Sequence, residues 1–281
     1  MKNFSGVRYK RGENRSLYLD IAVPEGRCPL IVWIHGGGWR FLSRAWNLAA
    51  PMTSRGYAVA AVDYRYSDEA LFPAQMEDLK DALLFLREHA ETYGYDGERI
   101  IVSGDSAGGQ MAALLGVTVG HKEWESKEGN YSVSAVVDFY GPADFTRMAE
   151  ERMESGAMFL EEFDLESMLL GASPLTKSGR KLSAAASPLT YITSGTPPFL
   201  ILHGTEDPAV SPGQSRLLRN TLEEAGVPVH FYLIPGGVHA LGGRLVYDVI
   251  QEFLDYYVKN IKTVETPAIE PYHGRLDPLP K

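Results

Sequence analysis

The sequence predicts an α/β fold with one mostly parallel central sheet covered by helices on both faces. Three observations point to it. Short β-branched runs alternate with longer amphipathic segments along the chain. Several of those runs, Leu30 to Ile34 among them, are apolar throughout, as strands covered on both faces require. The 281 residues are 44% hydrophobic, enough for one substantial core.

In chain order, Ser16 to Val23 alternates like a half-exposed strand, and Leu30 to Ile34 is a buried one. Trp46 to Arg55 has a helical pattern stopped by Gly56, and Tyr57 to Tyr64 is a strand. Pro73 opens a long amphipathic helix, with Met76, Leu79, Leu83 and Leu86 at helical spacing, that ends near Tyr93-Gly94. Ile100 to Ser103 is a buried strand followed by a small-residue-rich helix from Ala107 to Val119. Val133 to Tyr140, Phe199 to His203 and Val229 to Ile234 supply three more strands. A helix after Ser211 and another from Leu245 to Tyr257 complete the pattern of interleaved strands and helices.

Residues 142–194 break that rhythm. They carry Met148, Met153, Met158, Phe159, Phe163, Met168 and Leu169, a stripe whose ordinary use is core packing. Their place between two strands makes them an insertion, expected to cap the sheet edge. The expected organisation is one domain over residues 1–262, with the cap at about 142–194, and a proline-rich tail over 263–281.

A formal net charge of −9 gives no electrostatic footprint for nucleic acid or anionic membranes. The single cysteine, Cys28, excludes an internal disulfide framework and a cysteine metal cluster, and is read as an incidental thiol. The N-terminus has no apolar signal region and no window approaches 18 apolar residues, so cytoplasmic residence is the expectation. A homodimer is compatible with this composition.

The strongest chemical signal is Gly104-Asp105-Ser106-Ala107-Gly108, a G-x-S-x-G pentapeptide between a buried strand and a helix. So tight a turn forces the middle residue into a strained backbone conformation and admits almost no side chain two residues either side. The Ser106 hydroxyl is thereby held clear of the backbone at a helix N-terminus, where developing negative charge is favoured. The second signal is His35-Gly36-Gly37-Gly38-Trp39, directly after Leu30 to Ile34. Three glycines let backbone N–H groups turn into a cavity as one wall of an oxyanion hole, and Ala107 supplies the other donor. The third is Asp207 and His239, each just past a strand C-terminus, where an open parallel sheet places its ligands. The chain order Ser106, Asp207, His239 then assigns nucleophile, acid and base.

Glu206 is the main rival for the acid; Asp207 is preferred because Pro208 stiffens the loop directly after it. Asp144 is a more distant rival. His35 and His203 precede the glycines of their own loops and are read as satisfied structural histidines, while His230 lies within a strand. His89, His121 and His273 fall on expected surface segments. No His/Asp/Glu cluster has metal-ligand spacing and no phosphate loop is present, so the site needs no cofactor.

With those residues in hand, the chain resembles the α/β-hydrolase carboxylesterases, in particular the bacterial feruloyl and acetylxylan esterase group and the hormone-sensitive-lipase-like esterases. The stretches that carry the likeness are His35 to Trp39, Asp63-Tyr64-Arg65, Phe72-Pro73-Ala74-Gln75 and Gly104 to Gly109. Asp138-Phe139-Tyr140-Gly141-Pro142 and Ser187-Pro188-Leu189-Thr190 belong with them, as do Asp207 and His239. The resemblance implies an α/β-hydrolase fold and hydrolysis of small acyl esters, including acetyl or feruloyl groups on sugars. It also implies that Gly37, Gly38 and Ala107 donate to the oxyanion and that Trp39 borders the substrate pocket. One departure is that His239 is followed by Ala-Leu-Gly-Gly rather than directly by glycine.

The leading expectation is therefore a serine carboxylesterase working through an acyl-enzyme on a small-molecule ester, its rate falling as pH drops through roughly 6.5, the ordinary histidine value. An amidase, arylformamidase or small peptidase would use the same machinery. A non-catalytic binding protein on this fold has no need of nucleophile, base and hole together.

Overall fold

A computed structural model of the protein describes residues 1–12, 15–154 and 164–261. Eight strands form one sheet: β1 (Lys2–Lys10), β2 (Leu17–Val23), β3 (Pro29–Ile34), β4 (Ala58–Val62), β5 (Asp96–Asp105), β6 (Ala135–Phe139), β7 (Phe199–Gly204) and β8 (Val229–Ile234). Their spatial order is β1-β2-β4-β3-β5-β6-β7-β8, with β2 antiparallel to both neighbours and every pair from β4 to β8 parallel. The helices are α1 (Ala74–Glu88), α2 (Ala90–Tyr93), α3 (Ala107–Val117), α4 (Phe145–Glu154), α5 (Leu165–Leu170), α6 (Lys177–Ala186), α7 (Pro212–Glu224) and α8 (Arg244–Tyr257). This is the α/β-hydrolase architecture.

The strand alternation divides the core. Leu30, Val32 and Ile34 pack on one face with α1, α3 and α7 residues such as Leu83, Met111 and Leu218. Ile31 and Trp33 point to the other, joining Phe139, Val249 and Phe253. Both faces of β3 and β4 are buried at every position, which is why those strands are continuous apolar runs in the sequence.

The order also fixes the site. From β3 the chain steps to β4 on one side, then returns to place β5 on the other. The loops leaving β3 and β5 therefore diverge, and a crevice opens between them at the switch point, the place where parallel sheets bind ligands.

Two expected helices need correction, and one strand, β1, has no counterpart among the expectations. β1 was not legible: register shifts between Phe4 and Val7 and between Arg8 and Lys10 break the two-residue alternation that marks a strand. The helix expected over Trp46 to Arg55 is a 3-10 helix of Ala50–Arg55 only, with Pro51 in its first turn. Asn47 and Trp46 lie outside it: the Asn47 side chain accepts the Ala49 N–H at 3.0 Å, and the Trp46 backbone N–H donates to the Ser43 carbonyl at 2.8 Å. The helix from Pro73 is also interrupted at His89, whose backbone leaves the helical region at φ −104° and ψ 11° while its N–H and ring Nδ1 both lie on the Phe85 carbonyl, at 3.1 and 2.8 Å.

Within residues 142–194, α4, α5 and α6 stand between β6 and β7. Met148 and Leu169 are buried as core, whereas Met153 is exposed. Met158, Phe159 and Phe163, and the tail over 263–281, lie outside the described residues.

Candidate active site

Ser106 stands between β5 and α3 with φ 54° and ψ −120°, a backbone conformation strained for a residue with a side chain. Its N–H donates to the Phe139 carbonyl at 2.8 Å, which ties the turn to β6. A Cβ on Gly104 would come within 2.4 Å of the Gly108 backbone, and one on Gly108 within 2.1 Å of the Ile34 carbonyl oxygen. Strand and helix are that close, and only glycine fits at either position.

The His239 ring joins two groups from other loops. Its Nε2 lies 2.8 Å from Ser106 Oγ and its Nδ1 lies 2.7 Å from Asp207 Oδ2. The other carboxylate oxygen, Asp207 Oδ1, accepts the N–H groups of Ala209 at 2.8 Å and Val210 at 3.0 Å. Burial alone would raise the Asp207 carboxyl. Hydrogen bonds from His203 and His239, and from the Val210 and Ala209 N–H groups, outweigh it and hold the carboxyl well below the ordinary range. Asp207 is thus an ionised acceptor aimed at one edge of the imidazole. Glu206, the rival, is exposed, and Asp144 accepts the Arg147 N–H at the start of α4 instead.

His203 is the member of this cluster that its sequence position did not reveal. Its Nε2 faces two pure acceptors, the Val210 carbonyl at 2.9 Å and Asp207 Oδ2 at 3.3 Å, so that nitrogen carries the proton. Its Nδ1 then takes the Ser215 hydroxyl at 2.7 Å. Tyr140 packs beside both histidines, tilted against His239 with ring centroids 4.6 Å apart and edge-to-face with His203 at 6.2 Å. The expectation of a satisfied structural histidine describes His203 but omits its contact with the acid.

His35 fits that expectation over half of its ring. Nδ1 lies 2.8 Å from the Gly36 carbonyl, while Nε2 is buried with no partner among the described residues. Burial lowers its value to about 4, so it is neutral at physiological pH. His230 is buried within β8, and His89 and His121 are half-buried rather than on the surface. His273 lies outside the described residues. Cys28 is buried, and burial raises its thiol away from the reactive form.

Gly37 and Gly38, with φ 94° and 57°, line a cavity of about 410 Å³ that also holds Ser106 and His239. Ala107 is the first residue of α3, directly after Ser106. Trp39 touches the cavity, but it is only 3% exposed, packs on Phe145 and donates Nε1–H to Gln110 Oε1 at 2.9 Å. The glycine loop is held from below by Asp105: Oδ1 accepts the Gly36 N–H at 2.8 Å and Oδ2 accepts Trp46 Nε1–H at 3.0 Å. Met148, Leu165 and Glu166, from α4 and α5, line the cavity as well, and a Cβ on Gly38 would come within 2.3 Å of Leu165 Cδ1. Among the described residues no group of three His, Cys, Asp or Glu could hold a metal ion, and no helix is long and apolar enough to cross a membrane.

Behind the elbow, Asp138 is fully buried. Its Oδ1 accepts the Gly141 N–H at 2.9 Å, and its Oδ2 has no partner among the described residues. Burial raises its carboxyl from 3.8 to about 7. A carboxyl so raised contributes stability that is full below its unfolded value and lost as pH rises through about 7. Asp138→Asn is therefore expected to gain on the wild type as pH rises, by at most about 4 kcal/mol between pH 4 and 8. Thermal melts of both proteins at pH 5 and 8 check this; a gap independent of pH contradicts a raised carboxyl.

Residues 19–222 match the family model BD-FAE. The mycobacterial esterase LipQ of Mycobacterium tuberculosis is 31% identical over 89% of this chain and 61% of its own length. The probable carboxylic ester hydrolase LipM of the same organism is 30% identical over 76% of this chain. The chain thus spans half to about three fifths of the length of these relatives. Among solved structures, a truncated carbohydrate esterase from gut microbiota superposes with a TM-score of 0.82 at 28% identity, covering 92% of this chain and 97% of the other. A thermophilic esterase from the planctomycete Thermogutta terrifontis gives 0.70 at 28% identity, over 89% and 90%.

Proposed function

The chain belongs to the BD-FAE family of α/β-hydrolase esterases, and from that premise we propose that it is a serine carboxylesterase acting on small acyl esters. One observation carries the reading: the His239 ring spans Ser106 Oγ and Asp207 Oδ2 with a separate nitrogen for each. Asp207 accepts from Nδ1–H, which leaves Nε2 unprotonated and able to accept the Ser106 hydroxyl proton. As Oγ bonds to the ester carbonyl carbon, the carbonyl oxygen takes up negative charge. The N–H groups of Gly37, Gly38 and Ala107 then stabilise it, at about 3 kcal/mol for each donor. Collapse breaks the bond to the alcohol, which leaves with the proton from His239. Water adds to the acyl-enzyme by the same steps, giving its proton to Nε2, and Ser106 departs reprotonated.

The substrate class is drawn from likeness. The gut-microbiota neighbour is a carbohydrate esterase, which favours acetyl or feruloyl esters of sugars as the natural substrates. The test compares p-nitrophenyl acetate and acetylated xylo-oligosaccharides with a matched acetanilide and an aryl formamide. The expected result is turnover of the esters at least about 100-fold faster than of the anilide, whose poorer leaving group needs fuller proton donation. Equal or faster cleavage of the anilide or formamide would make the protein an amidase instead.

A further inference from the structure

The loop that follows the glycines, residues 39–46, bears large side chains that neither the core nor the proposed acyl transfer uses. Phe41 is 50% exposed, Leu42 47% and Trp46 42%, and all three line the cavity that holds Ser106 and His239. The other three tryptophans, Trp33, Trp39 and Trp124, are at most 4% exposed, so Trp46 is the one held out to solvent.

These side chains are not loose. The Gly37 carbonyl accepts the N–H groups of Arg40 at 3.1 Å and Phe41 at 2.8 Å. Tyr66 donates its hydroxyl to the Leu42 carbonyl, and Ser67 N–H bonds the Trp39 carbonyl at 2.9 Å. Trp46 is fixed at both ends, its Nε1–H on Asp105 and its carbonyl accepting Trp33 Nε1–H at 2.7 Å. Two residues with bulky side chains, Trp39 and Leu42, hold φ of 59° and 67°, a region such residues avoid. Surrounding bonds therefore enforce a strained backbone whose result is to hold an apolar surface in water at the cavity mouth. Strain of this kind persists where function uses it, and a contiguous exposed apolar patch at a pocket marks a binding surface.

We propose that Phe41, Leu42 and Trp46, on the wall of this cavity, form a subsite for an uncharged apolar group, an alkyl chain or aromatic ring, on the part of the ester that extends beyond the reacting carbonyl. The proposal rests on the esterase reading for its occupant. The cavity of about 410 Å³ is within the size range of small-molecule sites and runs from Ser106 and His239 to these three side chains, so a longer substituent on the reacting ester lies against them. The rigidity of the loop means that little ordering is required when the group arrives.

Two ester series test it, one lengthening the acyl chain on an ethyl ester and one lengthening the alcohol on an acetate. In the series whose growing end reaches the subsite, kcat/KM is expected to rise by up to about fourfold per methylene over the first few carbons. The double variant Phe41→Ser with Leu42→Asn, asparagine being tolerant of the left-handed backbone, is expected to flatten that rise. It should leave ethyl acetate within about twofold. As an independent readout, 1-octanol is expected to protect the exposed tryptophan emission of the wild type from iodide quenching, whereas glycerol is not. The proposal is overturned if esters are turned over but neither series rises, if the double variant falls equally on ethyl acetate and long esters, or if 1-octanol gives no protection. A wild type that turns over no ester overturns the esterase reading alone, since the quenching experiment still judges the subsite.

Discussion

Replacing Ser106 by alanine lowers kcat for ester hydrolysis by about 10⁵-fold or more, with little change in stability. The magnitude follows from what is lost: nucleophile, base and acid act as a unit, so removing one costs nearly as much as removing all. Residual activity of about 10³-fold over water remains if the Gly37, Gly38 and Ala107 N–H groups still bind an oxyanion for direct attack by water. Stability is expected to hold or rise, because alanine removes a polar atom and retains the Cβ already accommodated at φ 54°. Steady-state hydrolysis of p-nitrophenyl acetate and a thermal melt on the same preparation measure both quantities. A residual rate within 100-fold of the wild type would take Ser106 out of the reaction.

Asp207→Asn is expected to cost about 10⁴-fold in kcat with KM nearly unchanged. The local hydrogen bonds dictate how the amide sits. Two N–H groups, from Ala209 and Val210, face Oδ1, so the single oxygen of asparagine belongs there. The amide NH₂ then occupies the position of Oδ2, facing His239 Nδ1 and the protonated Nε2 of His203. Two donors cannot face a donor, so His239 is driven to the other tautomer, with its proton on Nε2 toward Ser106. In that state it cannot accept the hydroxyl proton. Kinetics at saturating and limiting substrate separate the two parameters. A rise in KM with unchanged kcat would show Asp207 to be a substrate-binding group.

The fold was legible where burial repeats simply. The fully buried strands β3 and β4 declare themselves by unbroken apolar runs, whereas β1, an edge strand with bulges, presents no period to read. The elbow was legible because backbone contact enforces its spelling at Gly104 and Gly108. Sequence reasoning chose Asp207 over Glu206 because of Pro208. In the structure the distinction lies in burial of the carboxylate and in the Ala209 and Val210 N–H groups it accepts. His203 could not be assigned its contact from the sequence, since that depends on the 205–210 loop folding back over it to present the Val210 carbonyl and Asp207 together. Trp46 fits the helical pattern of the residues after it. Its indole N–H on Asp105, the residue before Ser106, is a contact across 59 positions that no local pattern encodes.

In the proposed mechanism Ser106 is a nucleophile because His239 can take its proton. Covalent capture tests it most directly: incubate the protein with a fluorophosphonate, digest it and locate the adduct by mass spectrometry. The expected result is one adduct, on Ser106, formed rapidly in the wild type and at least about 10³-fold more slowly in His239→Ala. A folded wild type that forms no adduct, or one that labels as fast without the imidazole, would contradict it.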